Sequence, residues 1–410
     1  IRLSEAVRTW LKEVTVGLIN GLVLGLLLGL AAYAWRGNAW LGLVVGAAMT
    51  VGFWALMTAR VGLRATTLPP LFTAAVLAYD HAIVDAARRR ARLVYAAAGL
   101  LIGLCFYTYM ASRGLPAVFI ALVVWMAICN RSVFRNIWAG TSLMLVTAVF
   151  TGAPLYLHLH AHPELEYRLT QLSGPLQALR AGDWGPVWHN VARSLPMLGW
   201  RGDPLWLYNI GGRPALEPLL ALFFWIGVVA VLLGLRDRRN ALLLLWLVAG
   251  LAPALITGPE ATVLRAIAAQ PAVFLLVGLG VERAVRWTAL QRRTPALRAA
   301  VGLLGAGAML VIGRGAADAY FHRWGQDPDV RGLYLHHVVA LGRHLDAVPE
   351  AGAAVISSLY PGRFHDPYTV EVTARRDDLA LRWADGQHAL VFPAVAESRL
   401  YTNTQAALQP

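Results

Sequence analysis

Apolar runs of about twenty residues, each long enough for a helix to cross roughly 30 Å of hydrocarbon, follow one another from Val14 to Arg314 with short breaks between them and one long polar island, His158–Glu217. No other property of the chain restricts its fold so strongly. Composition agrees: 58% of the 410 residues are hydrophobic and 14% charged, against about half and a quarter in soluble domains. The chain reads as an integral membrane protein. A net charge of +13 would point to nucleic acid in a soluble domain. Here the arginines stand in the breaks, where they orient helices, so no nucleic-acid partner is expected.

Spans are expected over residues 14–34, 40–59, 93–112, 115–129, 138–157, 218–235, 240–257 and 263–281, with a last one ending near Gly313. Gly17, Gly21, Gly25 and Gly29 recur every fourth residue, which puts them on one helical face and lets a second backbone approach closely. Residues 60–87 contain Pro69-Pro70, only about ten clean apolar positions, and Asp80, His81 and Asp85; a short or surface-lying helix is an equal reading, with Asp80 and His81 as a solvated helix end. Arginine clusters at Arg88–Arg92, Arg131–Arg135, Arg236–Arg239 and Arg283–Arg298 mark the cytoplasmic side by the positive-inside rule. That places the polar island His158–Glu217 and the tail 315–410 outside. With Arg2, Arg8 and Lys12 also inside, two spans return the chain inside and leave residues 60–87 unable to cross. Either that segment does not span, or two unrelated pieces are joined near residues 50–58.

The island carries an HxHxH run, His158, His160 and His162. Without an HExxH or cysteine partner it is not a zinc signature, and interfacial helix caps are the better reading. Trp184, Trp188, Trp200 and Trp206 suit headgroup depth, and Gly211-Gly212 suits a turn. Cys105 and Cys129 fall inside apolar runs, so no disulfide and no metal site are expected. In the tail, residues 329–348 have helical spacing while AAVISS and HALVFP are strand-like, giving a small α/β cap. The fold class is therefore an all-α polytopic membrane protein of about nine helical spans with a small extracytoplasmic α/β C-terminal domain.

Two family resemblances follow. Arg8, Lys12-Glu13 and VGLINGLVLGLLLGLAAYAWRGNAWLGLVVGAAM resemble the third and fourth membrane helices of MgtE-type magnesium transporters, over about the first fifty residues. That family's ion-binding aspartate, in a TTxxD context, is not reproduced after Met49. From about residue 55 onward, RVGLR with PPLF, GLLIGLCFYTYMASRGLP, HPELEYRLTQLSG, GDPLWLYNIGGRPALEPLLALFFWIG and PEATVLRAIAAQP resemble, in order, landmarks of bacterial GT-C glycosyltransferases of the family 39, protein-mannosyltransferase and aminoarabinose-transferase type. The domains are then 1–58, two MgtE-like helices; 59–314, a GT-C-like bundle with loop 158–217; and 315–410, the cap.

The second resemblance implies an enzyme of the bacterial cytoplasmic membrane that takes a sugar from a polyprenyl-phosphate donor on the extracytoplasmic side. Such a donor needs cations at helix ends on that side, and Arg168, Arg201, Arg213 and Arg265 are available. Arg265 stands at the entrance of an apolar span, where an unpaired charge is costly; phosphate contact, a pair with Glu260, or a bond to a loop carbonyl are its readings. For Arg168 the alternative to phosphate is a surface salt bridge. Transfer also needs a base for the acceptor hydroxyl. In the family it lies in the first external loop, and Arg36-Gly37-Asn38 supplies no acid, so the catalytic residue is unknown. Glu164, Glu166, Asp183, Asp203, Glu217 and Glu260 match no catalytic position of the family. No cofactor is indicated; a divalent cation is compatible with such a site but not indicated. The chain, which begins at Ile1, reads as a truncated or chimeric transferase. The alternative is a magnesium or divalent-cation transporter fragment, or a non-catalytic membrane scaffold.

Overall fold

A computed structural model describes residues 22–61, 63–84, 90–166, 173–348, 353–362, 365–385, 388 and 399–402. The chain divides into two compact units, Ile1–Phe321 and His322–Pro410.

The first unit is helical. Its elements are α1 (Leu22–Arg36), α2 (Ala39–Val51), α3 (Phe53–Arg60), α4 (Leu68–Val84), α5 (Ala91–Cys105), α6 (Pro116–Cys129), α7 (Arg131–Ala161), α8 (Gly174–Arg180), α9 (Gly185–Ser194), α10 (Pro218–Leu232), α11 (Arg238–Thr257), α12 (Thr262–Arg265), α13 (Gln270–Trp287) and α14 (Pro295–Asp318). Among the described residues six helical stretches are long and apolar enough to span a membrane. A seventh arises if α2 and α3, bent by 61° at Gly52, count as one, while α1, α5 and α10 are shorter apolar helices. The expected spans fall on these helices, the first over its described part, residues 22–34. In α14, Leu303, Leu304, Leu310 and Val311 are 73–75% exposed, and only lipid can cover so much apolar surface without cost. The chain is a multi-pass membrane protein.

The core is built by backbones that touch. Gly25 and Gly29 on α1 meet Gly46 and Gly42 on α2, where an added Cβ would stand 2.6–2.8 Å from the facing carbonyl oxygens. The described half of the glycine stripe is therefore a packing face, as its spacing predicts. A tighter crossing joins α10 to α13: a Cβ on Gly280 would lie 1.8 Å from the Phe223 carbonyl oxygen, and one on Gly227 2.0 Å from that of Leu276. The α13 helix is the central one, 72% of its span buried.

Two expectations are corrected. Of the readings left open for residues 60–87, the structure favours a span: Arg64–Val84 is a helix of span length and composition. Its two prolines sit in the first turn of α4, where a missing N–H costs nothing. Asp80 is no solvated helix end: it is 4% exposed, held by Arg239 through Nε and Nη2 (3.1 and 2.8 Å) and by Arg238 Nη2 at 2.9 Å. The turn Arg36–Asn38, expected at the outer face, lies instead at this arginine-rich end, where Arg36 donates to Asn240 Oδ1 (2.6 Å) and Asn38 to Glu282 (3.2 Å). With the α1–α2 turn there and α4 crossing, helix directions alternate from α1 onward and residues 60–87 no longer conflict. Asp80 reads as a solvated helix end from the sequence because its partners lie 158 and 159 positions away, beyond any local window.

The second unit has a three-stranded parallel sheet of order β2-β1-β3, with β1 (Ala353–Ser357), β2 (Ala380–Ala384) and β3 (Arg399–Tyr401). Helices α15 (Pro328–Leu333), α16 (His336–Ala347) and α17 (Asp366–Thr373) accompany it, and Val338, Leu345, Ile356 and Val370 form its core. AAVISS is β1 and the following Ser358. The expected helix over 329–348 is broken where Leu335 turns left-handed, φ +52°. Of HALVFP only His388 lies within the described residues. Arg376 grips exposed Asp378 with Nε and Nη2 (2.9 and 2.6 Å) while its Nη1 donates to the Val348 carbonyl.

Candidate functional site

At the end of the bundle opposite the arginines, the island meets α3 and α12. The stretch 202–213 closes on itself: Gly202 N donates to the Gly212 carbonyl (3.1 Å), Gly212 N to that of Asp203 (2.7 Å), and Asn209 Nδ2 to that of Arg213 (2.6 Å). Gly202 is obligatory there, because a Cβ would stand 1.7 Å from the Arg213 carbonyl oxygen. The closed loop buries Asp203 completely, at 0% exposure. Asp203 Oδ1 accepts from Leu205 N at 2.9 Å, and the backbone of Thr262, at the start of α12, also bears on this carboxylate. The side chain thus braces the loop from within and faces the start of α12.

Burial pushes the Asp203 carboxyl up to about 6, against hydrogen bonds from Leu205 and Thr262 and the charge of Arg265, which pull it down. Because the folded-state value lies above the ordinary 3.8, the folded protein holds an extra proton between those two pH values. This contribution is fully present below 3.8 and lost as pH rises through about 6. The loss is of order 2 kcal/mol. Unfolding of the full chain in detergent, followed from pH 4 to 7, should show this decline in the parent and a flatter profile in Asp203→Asn; identical profiles would refute the assignment.

Of the four candidate phosphate cations, Arg213 packs on the Phe53-Trp54 dipeptide of α3, and the helix that carries Arg265 is tied to the same dipeptide. Arg213 lies over the Phe53 ring, 4.1 Å from its centroid, and pairs with Glu217 at 3.0 Å; Glu217 Oε1 also accepts from Phe53 N at 3.3 Å. Next along the chain, Trp54 Nε1 donates to the Val263 carbonyl in α12 at 2.8 Å, two residues before Arg265. Arg265 Nη1 donates to Thr257 O and Oγ1 at 3.1 and 2.8 Å. Among the described residues its Nε and Nη2 make no hydrogen bond. Of its three expected readings, the loop carbonyl is the bond seen, and the rest of the guanidinium remains available. Arg168 lies outside the described residues, and Arg201 is exposed.

The polar groups left unpaired differ between the two ends. Among the described residues, buried atoms without a partner at the island end are Asp203 Oδ2, Glu217 Oε2, Thr262 Oγ1 and Ser194 Oγ, all able to accept; at the arginine end they are Trp35 Nε1 and Nε of Arg36, Arg238 and Arg283, all donors, together with the Tyr95 hydroxyl. Local spacing reveals neither set, since each depends on which side chains the fold covers.

His158, His160 and His162 occupy the end of α7 without converging: His158 and His162 rings are 4.7 Å apart, His160 stacks on Tyr156, and His162 pairs with exposed Glu164. No group of three or more His, Cys, Asp or Glu side chains positioned for a metal occurs among the described residues. Trp184, Trp188 and Trp200 are 60–78% exposed. Cys105 and Cys129 are free thiols.

Residues 1–86 match the family model described as MgtE, divalent cation transporter, which extends beyond the fifty residues of the sequence resemblance into α4. No curated protein matches the chain. Similar solved structures include the oligosaccharyltransferase AglB from Archaeoglobus fulgidus with an inhibitory peptide and dolichol-phosphate (14% identity, 87% of this chain and 52% of that one, TM-score 0.48). Another is ArnT from Cupriavidus metallidurans bound to undecaprenyl phosphate (15% identity, 88% and 72%, TM-score 0.48). The chain spans about half the length of the archaeal protein. The MgtE resemblance read from the sequence recurs in the family match.

Proposed function

We propose that the first unit is the donor-holding part of a membrane glycosyltransferase that uses a polyprenyl-phosphate sugar, with the phosphate at Arg265 and the island on the extracytoplasmic side. The observation that carries the reading is Arg265 itself: a guanidinium at a membrane mouth, fixed through one nitrogen to Thr257, with its other donors unspent. Phosphate is the ligand such a fork binds best. Arg213 borders the site with its charge offset by Glu217. Asp203 braces the loop 202–213 through Leu205 N; its complete burial keeps it from an acceptor hydroxyl, so it is not the base that a transfer requires.

Binding of undecaprenyl phosphate to the full chain in nanodiscs should weaken about tenfold in Arg265→Ala, the worth of one charge-assisted bond, with unchanged melting temperature. Equal binding would remove Arg265 from the site. Release of labelled hexose from a polyprenyl-phosphate donor, with an upstream module added, tests transfer; no release under either condition sinks the enzyme reading. Asp80 is the one carboxylate among the described residues of the MgtE-like segment, and two arginines already hold it. Magnesium uptake into liposomes is therefore expected to equal that of empty vesicles.

A further inference from the structure

Helices α1 and α4 flank two cavities that share Leu77. The first, about 150 Å³, is almost wholly apolar and includes Leu24, Leu28, Ala31, Pro70 and Ala74. The second, about 440 Å³, is reached at the arginine-rich end and is lined by Trp35, Asp80, His81, Val84 and Arg239. From Leu24 to Trp35 the groove follows eleven residues of α1, about 17 Å at 1.5 Å per residue. That is close to half of a hydrocarbon core of about 30 Å, the depth of one leaflet.

The polar end asks for an anion. Trp35 is 3% exposed and its Nε1 has no acceptor among the described residues; Nε of Arg36 and of Arg238 are in the same position. Arg36 lies 5.6 Å from the Trp35 ring centroid, and Arg238 and Arg239 share Asp80. Three guanidinium groups face the carboxylates of Asp80 and Asp237, and Glu282, which also acts on Arg36, is itself paired with Arg286, which leaves one positive charge in surplus. An apolar slot one leaflet deep, ending in a surplus cation and a buried unpaired N–H, has the chemistry of a single lipid with a negative head.

We propose that an anionic phospholipid occupies the groove between α1 and α4, one acyl chain along Leu24–Leu77 and its phosphodiester at Trp35 and Arg239. The site lies at the end of the bundle opposite Arg265 and stands whether or not the transferase reading holds.

The test uses the full chain in nanodiscs, with lipids that survive extraction counted by native mass spectrometry. Dioleoylphosphatidylglycerol should be retained over dioleoylphosphatidylcholine by about fivefold, the effect of about one favourable charge. Trp35→Phe keeps the ring, removes the donor and should reduce that preference about threefold. Leu77→Trp fills the point where the cavities meet and should abolish retention of either lipid in the groove. Should Leu77→Trp fail to fold, Trp35→Phe still decides. Equal retention of the two lipids by the parent, or an unchanged preference in Trp35→Phe, overturns the proposal. Displacement of phosphatidylglycerol by inorganic phosphate, or by undecaprenyl phosphate at equal mole fraction, overturns the choice of a phospholipid.

Discussion

Replacing Asp80 by Asn is expected to destabilise the first unit by about 3–5 kcal/mol, the cost of leaving buried cationic partners without their counter-charge. The Asp80 side chain is 6% exposed and those of Arg238 and Arg239 are 19% and 27%, so water cannot replace the carboxylate. The pair is needed because its members are already buried, and its net value over an apolar substitute is much smaller. Asp80→Leu combined with Arg239→Leu should therefore recover most of the loss, leaving Arg238 to reach water at the membrane edge. Unfolding by sodium dodecyl sulfate in mixed micelles measures all three variants. A loss below about 1 kcal/mol for Asp80→Asn would put the cluster in the class of surface ion pairs and remove the reason given for α4 crossing the membrane.

Gly280→Ala should have a comparable effect for a different reason. Its methyl would meet the Phe223 carbonyl oxygen at 1.8 Å, its carbon at 2.7 Å and Gly227 N at 3.0 Å. All three are backbone atoms, so relief requires α10 and α13 to separate and surrender contacts along their whole crossing. Overpacking usually costs about 1–3 kcal/mol, and a clash with a rigid carbonyl belongs at the upper end. Gly302 in α14 is the control, with nothing within 4 Å of an added Cβ. There alanine should be neutral or stabilise slightly, by up to about 1 kcal/mol of helix propensity. Equal melting temperatures for Gly280→Ala and Gly302→Ala would show that the α10–α13 crossing is not close-packed.

The spans were legible because their information is local: a run of apolar residues is long enough or it is not. The α1–α2 glycine contact was legible for the same reason, from a period of four. What escaped was set by distant partners. Asp80 looks like a polar interruption until Arg238 and Arg239 stand beside it, and the Pro69-Pro70 pair looks like a break until it occupies a first turn. Arg265 could be singled out because a charge at the start of an apolar span is conspicuous by itself. Asp203 could not, since its burial is produced by residues 202–213 folding over and by Thr262, nearly sixty positions later. The side of the turn Arg36–Asn38 was misjudged because charge counting near the N-terminus carries no knowledge of Asn240 and Glu282.

The Asp80 cluster also bears on how the chain is made. Helices of a polytopic protein enter the bilayer as synthesis proceeds, and an ionised aspartate within a span opposes that entry. The neutralising arginines lie 159 positions further on, on the far side of six intervening helices that include both island helices. α4 thus gains its full hold on the membrane only after Arg239 has been synthesised, whereas α14, apolar on every face between Arg298 and Arg314, needs no partner to stay. Assembly of this bundle is consequently ordered by charge, with its fourth helix committed late and its last one committed at once.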